Sequence, residues 1–85
     1  MSKKAEKWLD FAVRVKEHIN DYVVPQYGDD GEAPDKEYSA RDCVKQAERY
    51  LARHGKNSRP GQESLDMLKA AHWIQMAFHR IQGGV

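Results

Sequence analysis

The sequence predicts a single all-α domain of three helices, at about residues 4–24, 39–54 and 60–82, with a long acidic loop between the first two. Two observations predict this fold class. Apolar residues recur at helical spacing in three stretches, and no stretch shows the strict apolar-polar alternation that is typical of a strand. Eighty-five residues suffice for one domain and are too few for two, so residues 1–85 should share one core.

The first predicted helix, residues 4–24, is amphipathic. At about 100° per residue its apolar side chains fall on one arc, made of Trp8, Leu9, Phe11, Ala12, Val15, Ile19, Tyr22 and Val23. Pro25 should end the helix, because proline has no backbone N–H and its ring clashes with the preceding turn. The next stretch combines turn-forming residues with five acidic ones and is predicted to be a loop. These acidic residues are Asp29, Asp30, Glu32, Asp35 and Glu37.

The second predicted helix, residues 39–54, begins at Ser39, which forms a variant of the capping box with Asp42. Its apolar face consists of Ala40, Cys43, Val44, Ala47, Tyr50, Leu51 and His54. A basic stripe lies away from that face and steps by four residues through Arg41, Lys45, Arg49 and Arg53. Gly55 should follow the helix end as the residue in the left-handed conformation.

The third predicted helix, residues 60–82, places Pro60 in its first turn, where the missing N–H carries no penalty. Its main apolar arc consists of Met67, Leu68, Ala70, Ala71, Ile74, Ala77, Phe78 and Ile81. Leu65, Trp73 and Met76 project elsewhere, so this helix is apolar on more than one side. Because so short a chain builds only a small core, the second apolar side favours a homodimer.

Composition excludes several classes of protein. The lone cysteine, Cys43, can form neither an internal disulfide nor a zinc site, which favours the cytoplasm. Asp10 and Arg14 interrupt the apolar run of an export signal, and no run approaches the roughly 20 residues needed to span a membrane. His72 and His79 are two helical turns, about 10 Å, apart, too far for one ion. We therefore predict no metal, no cofactor and no membrane partner.

The candidate site is a basic and aromatic surface formed by Arg49, Arg53, Lys56, Lys69 and Trp73. Lys69 and Trp73 share a stripe of the third helix with Asp66 and Arg80, outside its main apolar arc. An indole flanked by cations can stack on a base while phosphates meet positive charge. The leading interpretation is a non-catalytic binding or adaptor domain for a nucleotide or a nucleic acid, although the same residues also suit a packing face and a solvated helix surface.

The second half of the chain resembles a small helical family of bacteriophages and prophages that is labelled "nucleotide kinase-like". The resemblance covers about residues 42–82 and depends on Arg49-Tyr50-Leu51-Ala52-Arg53-His54-Gly55-Lys56 followed by Leu65-Asp66-Met67-Leu68-Lys69-Ala70-Ala71-His72-Trp73-Ile74. It marks Arg49, Tyr50, Arg53, Gly55, Lys56, Asp66, Lys69 and Trp73 as the family's characteristic positions.

Two other hypotheses stay open at this point. Glu63 and Asp66 place two carboxylates on adjacent turns, as in magnesium-dependent all-α nucleotide pyrophosphohydrolases, although those enzymes need a second acidic pair on a neighbouring helix. Alternatively, the acidic segment from Asp29 to Glu37 mimics nucleic acid or docks onto a basic protein partner, as in a small inhibitor protein.

Overall fold

The computed structural model describes residues 1–29, 38–56 and 59–83, and within these ranges it contains three helices and no strand. The first helix is α-helical over Lys3–His18, π-helical over Ile19–Val23 and α-helical again over Val24–Tyr27. The second helix spans Ala40–Ala52 and the third spans Gln62–Ile81. The predicted all-α, three-helix fold is confirmed. Residues 30–37, which contain most of the predicted acidic loop, lie outside the described residues.

The start of the second helix is as predicted. The Asp42 backbone N–H donates to Ser39 Oγ at 3.1 Å, and the Ser39 N–H donates to Asp42 Oδ2 at 3.0 Å. This reciprocal pair satisfies two backbone donors that the first helical turn leaves without partners. The hydrogen bonds from the Ser39 backbone and hydroxyl also lower the pKa of Asp42, because both stabilise the ionised carboxylate.

The second helix ends two residues earlier than predicted, and the third helix begins two residues later. The second helix ends at Ala52, so Gly55, with φ 78°, lies in the turn beyond the helix rather than directly after its last turn. Pro60 lies before the third helix, which begins at Gln62 after Gly61. Gly61 has φ 79°, a left-handed conformation that glycine adopts without strain, and it sets the direction of the new helix.

Pro25 does not end the first helix, which corrects the sequence prediction. It lies in the first turn of the α-helical segment Val24–Tyr27, directly after the π-helical turn. In that turn the Val24 N–H donates to the carbonyl of Ile19, five residues earlier, instead of the usual four. The wider turn gives the proline ring space beside the preceding backbone, so the helix continues until Gly28.

The second and third helices form an antiparallel pair that contains the buried core. Cys43 near the start of the second helix packs with Met76 and Ala77 near the end of the third. At the opposite end, Arg53 pairs with Asp66. Ala47 and Ala70 complete the buried apolar residues of the described chain, and the first helix packs mainly on the third. This core is small and made mostly of short side chains.

The buried side of the third helix differs from the predicted arc. Met76 is buried and Trp73 packs against the core, whereas Ile74, Phe78 and Ile81 are exposed. Because this helix is apolar on several sides, its spacing alone does not decide which side faces the chain.

The arcs predicted for the other two helices also include exposed side chains. Val44 and Leu51 are exposed on the second helix and His54 is exposed in the turn after it. On the first helix Trp8, Leu9 and Tyr22 are exposed. None of the described helices is long and apolar enough to cross a membrane.

Candidate ligand-binding cleft

A cleft of about 430 Å³ separates the C-terminal part of the first helix from the pair formed by the second and third helices. The π-helical turn contributes Tyr22 and Val23 to its wall, and π-helical turns occur frequently at functional sites. The complete lining consists of His18, Tyr22, Val23, Gln26, Tyr27, Tyr38, Tyr50, Leu65, Lys69, His72, Trp73 and Met76. All three helices therefore build one concave surface.

The walls of the cleft are mainly aromatic. The chain has four tyrosines, Tyr22, Tyr27, Tyr38 and Tyr50, and all four line this cleft together with Trp73. The rings of Tyr38 and Trp73 are stacked, with centroids 5.2 Å apart and planes 23° apart. Since Trp73 also packs against the core, this pair connects one wall of the cleft to the buried core. Tyr22 and Tyr27 come from the first helix and Tyr50 from the second, and all three line the same space.

Three cations surround the ring of Tyr50. Lys69 Nζ and Arg53 Cζ each lie 5.5 Å from the ring centroid, and Arg49 Cζ lies at 5.7 Å. These distances are within the range of cation–π attraction, which helps to hold three like charges close together. Among the lining residues that the structure describes, Lys69 is the only lysine or arginine and none is acidic. The cleft therefore offers positive charge beside aromatic surface.

Arg53 is held in place by a buried polar network. Its Nε lies 3.6 Å from Asp66 Oδ2, while Asp66 is only 1% exposed. Gln62 Nε2 donates to Asp66 Oδ1 at 2.8 Å, and Arg59 Nη2 donates to Gln62 Oε1 at 3.3 Å. The network joins the start of the third helix to the end of the second. It thereby fixes the end of the second helix at which the cations meet Tyr50.

This arrangement separates the two carboxylates of the pyrophosphohydrolase hypothesis. Both oxygens of Asp66 face side chains of this chain, whereas Glu63 is about half exposed and lies 3.9 Å from His54 Nδ1. In the described ranges, no three His, Cys, Asp or Glu side chains lie close enough together to hold a metal ion. Asp66 thus acts as a structural partner of Arg53 and Gln62.

His18 lies in the floor of the cleft and is 7% exposed. Its ring stacks on Tyr22 with centroids 5.6 Å apart, and its Nδ1 is buried without a hydrogen-bond partner. Burial lowers the pKa of His18 below its ordinary value of 6.5, and the positive charge of Lys69 lowers it further. At neutral pH this ring is therefore uncharged.

The structure brings together four of the five predicted site residues. Arg49, Arg53 and Lys69 surround Tyr50, and Trp73 lies in the wall of the same cleft. Lys56 is exposed in the turn after the second helix and is not among the cations at Tyr50.

Sequence reasoning missed Tyr22, Tyr27, Tyr38 and His18 as lining residues. Their spacing in sequence carries no common signal, because they converge only through the packing of the first helix on the third.

Chemically, the cleft offers stacking surfaces, a lysine and hydrogen-bonding groups. Comparisons of the chain with protein-family models, curated proteins and solved structures find no match.

Proposed function

We propose that this protein is a non-catalytic binding domain whose cleft holds one nucleotide unit, either free or within a single-stranded nucleic acid. The base stacks on the tyrosine and tryptophan walls, and the phosphate lies at Lys69 with Arg49 close by. One observation carries the proposal, namely that all four tyrosines of the chain and a lysine line the same cleft.

The size of the cleft supports a ligand of this class. Small-molecule sites typically enclose about 300–1,000 Å³, and a volume of about 430 Å³ lies at the lower end of that range. A single base with its sugar and phosphate is a ligand of this size. Each stacked base contributes about 1–3 kcal/mol in proteins that bind single strands, and stacking tolerates different bases. We therefore expect modest affinity and little base specificity.

The charges favour an anionic ligand over a cationic one. Aromatic surfaces also bind ammonium groups. Here, however, Lys69 already lies in the wall of the cleft, and the two arginines Arg49 and Arg53 lie beside the same tyrosine ring, so their positive charges disfavour an ammonium group. Asp66 neutralises Arg53 in part, which leaves Lys69 and Arg49 as the cations to meet a phosphate.

The fluorescence of Trp73 provides a direct test. The chain has two tryptophans, and Trp8 is 62% exposed on the first helix, so Trp8→Phe leaves Trp73 as the single reporter. Titration of this protein with adenosine monophosphate, and separately with a short single strand, should quench Trp73 saturably. Inorganic phosphate alone should compete without quenching, because it occupies the cations but offers no ring to stack.

Matched lysine variants locate the site. Lys69→Ala should weaken binding by about tenfold, the effect of losing roughly 1.4 kcal/mol, because it removes the cation in the wall. Lys45→Ala removes the same charge from the exposed side of the second helix and should leave affinity unchanged. A single strand that binds more tightly than the monophosphate, with strong salt dependence, would identify nucleic acid as the source of the nucleotide. Unchanged Trp73 emission with millimolar monophosphate and with the strand would contradict the proposal.

A further inference from the structure

Five large apolar side chains are exposed on the side of the helical pair that faces away from the cleft. Their exposed fractions rise from 41% at Val44 to 70% at Ile81, values that are typical of surface residues. The set consists of Val44 and Leu51 on the second helix and Ile74, Phe78 and Ile81 on the third, and is here called the open face.

The antiparallel packing explains why these residues share one side. Val44 follows the buried Cys43 and Phe78 follows the buried Ala77, each rotated by about 100° about its own helix axis in the same sense. In an antiparallel pair, equal rotations away from the contact line lead to the same side of the pair. Lys69 instead comes directly before a buried residue. It is therefore rotated in the opposite sense and lies on the side of the pair that lines the cleft.

The area of the open face matches the apolar part of a protein interface. If a fully exposed side chain of this size presents roughly 200 Å², the observed exposures give on the order of 500 Å². A standard interface covers about 800 Å² on each partner, of which roughly 60% is apolar, again on the order of 500 Å². The largest apolar patches of ordinary monomers have a similar size, and they are often functional.

We propose that the open face binds the open face of a second copy of this chain, forming a symmetric dimer. A two-fold axis over an antiparallel helical pair produces a four-helix arrangement, the commonest way in which such pairs bury a shared apolar side. The net charge of +1 produces little repulsion between two copies. The buried core of one chain consists of only Cys43, Met76 and three alanines among the described residues, so a second copy supplies the larger apolar contacts.

This dimer differs from the one predicted from the sequence. That prediction depended on Leu65, Trp73 and Met76, but Met76 is buried and the other two are half-buried in the fold of a single chain. The apolar side chains that are exposed on the third helix, Ile74, Phe78 and Ile81, belong instead to its predicted main arc.

Sedimentation velocity of the full chain over a range of concentrations tests the proposal. The wild type should sediment at about twice the chain mass of 9.8 kDa. Phe78→Asp should weaken association by on the order of 100-fold, because the symmetry places the new carboxylate in the interface twice. Leu9→Asp is the matched control, since Leu9 is 47% exposed on the first helix, outside the open face. This control should remain dimeric.

Circular dichroism checks that each variant keeps its helices. If Phe78→Asp fails to fold, Ile81→Asp carries the same test, because Ile81 is 70% exposed at the last residue of its helix. A wild-type chain that remains at 9.8 kDa at the highest concentration would show that a second copy does not cover this face and would overturn the proposal. A dimer that survives either substitution in a folded variant would overturn it equally.

Discussion

Substitution of Asp66 with alanine should lower the free energy of unfolding by about 2–3 kcal/mol. An exposed acidic residue on a helix would contribute much less. The carboxylate is 1% exposed and accepts a 2.8 Å hydrogen bond from Gln62, and loss of a hydrogen bond to a charged group costs about 1.5–3 kcal/mol. Arg53 adds little, about 0–1 kcal/mol, because its side chain is 36% exposed and water can solvate it once its partner is removed.

Thermal and urea unfolding, followed by circular dichroism, measure this change. In a domain of this size about 2–3 kcal/mol corresponds to a fall in Tm of roughly 10–20 °C. Glu63→Ala is the matched control, since this carboxylate is 54% exposed and 3.9 Å from His54, and it should change stability by less than about 0.5 kcal/mol. If Asp66→Ala and Glu63→Ala unfold together, the buried carboxylate does not stabilise the fold, and the structural role assigned to Asp66 is refuted.

Two further predictions concern the second helix and the floor of the cleft. Ser39→Ala removes the acceptor of the Asp42 N–H and should lower the free energy of unfolding in urea by about 1 kcal/mol. Ser64→Ala, at an exposed position of the third helix, is the control and should not destabilise the chain. Equal effects of the two substitutions would contradict the role of Ser39 as a cap. Because the pKa of His18 is lowered in the folded chain, the unfolded chain binds the proton more readily. The stability that the neutral ring contributes is therefore present above pH 6.5 and is lost as the pH falls below 6.5 towards the folded pKa. His18→Leu should remove that part of the pH dependence, and an unchanged slope of unfolding free energy against pH would rule out His18 as its source.

The three helices were predictable because their signals are local. Ser39 and Asp42 lie three residues apart and form their bonds within one turn, so the sequence contains the complete capping box. Pro25 is also a local signal, but it does not end the helix here, because a π-helical turn precedes it. A one-residue widening of a helix depends on how the helix packs, and apolar spacing does not contain that information.

The inner side of the third helix was not predictable for a different reason. Asp66 is charged and was assigned to a polar stripe, yet it is buried because Gln62 and Arg53 satisfy its oxygens. Arg53 belongs to another helix, and such a partner is visible only after the helices have packed. Once Asp66 faces inwards, Trp73 and Met76 turn towards the chain and Phe78 turns towards solvent.

The cations and Trp73 were identified as a candidate site from their position outside the apolar arcs. Their common neighbour, Tyr50, was instead assigned to the core of the second helix, although it lines the cleft and lies within 6 Å of three cations. A half-buried tyrosine fits both a core face and a binding wall, because its ring is apolar and its hydroxyl is polar. Spacing along one helix cannot distinguish the two roles.

The cleft and the open face lie on opposite sides of the helical pair, so nucleotide binding and dimer formation should be separable. Phe78→Asp should keep the wild-type Kd for adenosine monophosphate, and Lys69→Ala should keep the wild-type dimer. A dimer over the open face presents two outward clefts, and a single strand long enough to reach both should bind more tightly than a mononucleotide through its higher effective concentration. The monomeric variant should lose only this gain. If its affinity for the mononucleotide falls as well, the second copy contributes to the cleft itself, and the geometry that places the two surfaces apart is wrong.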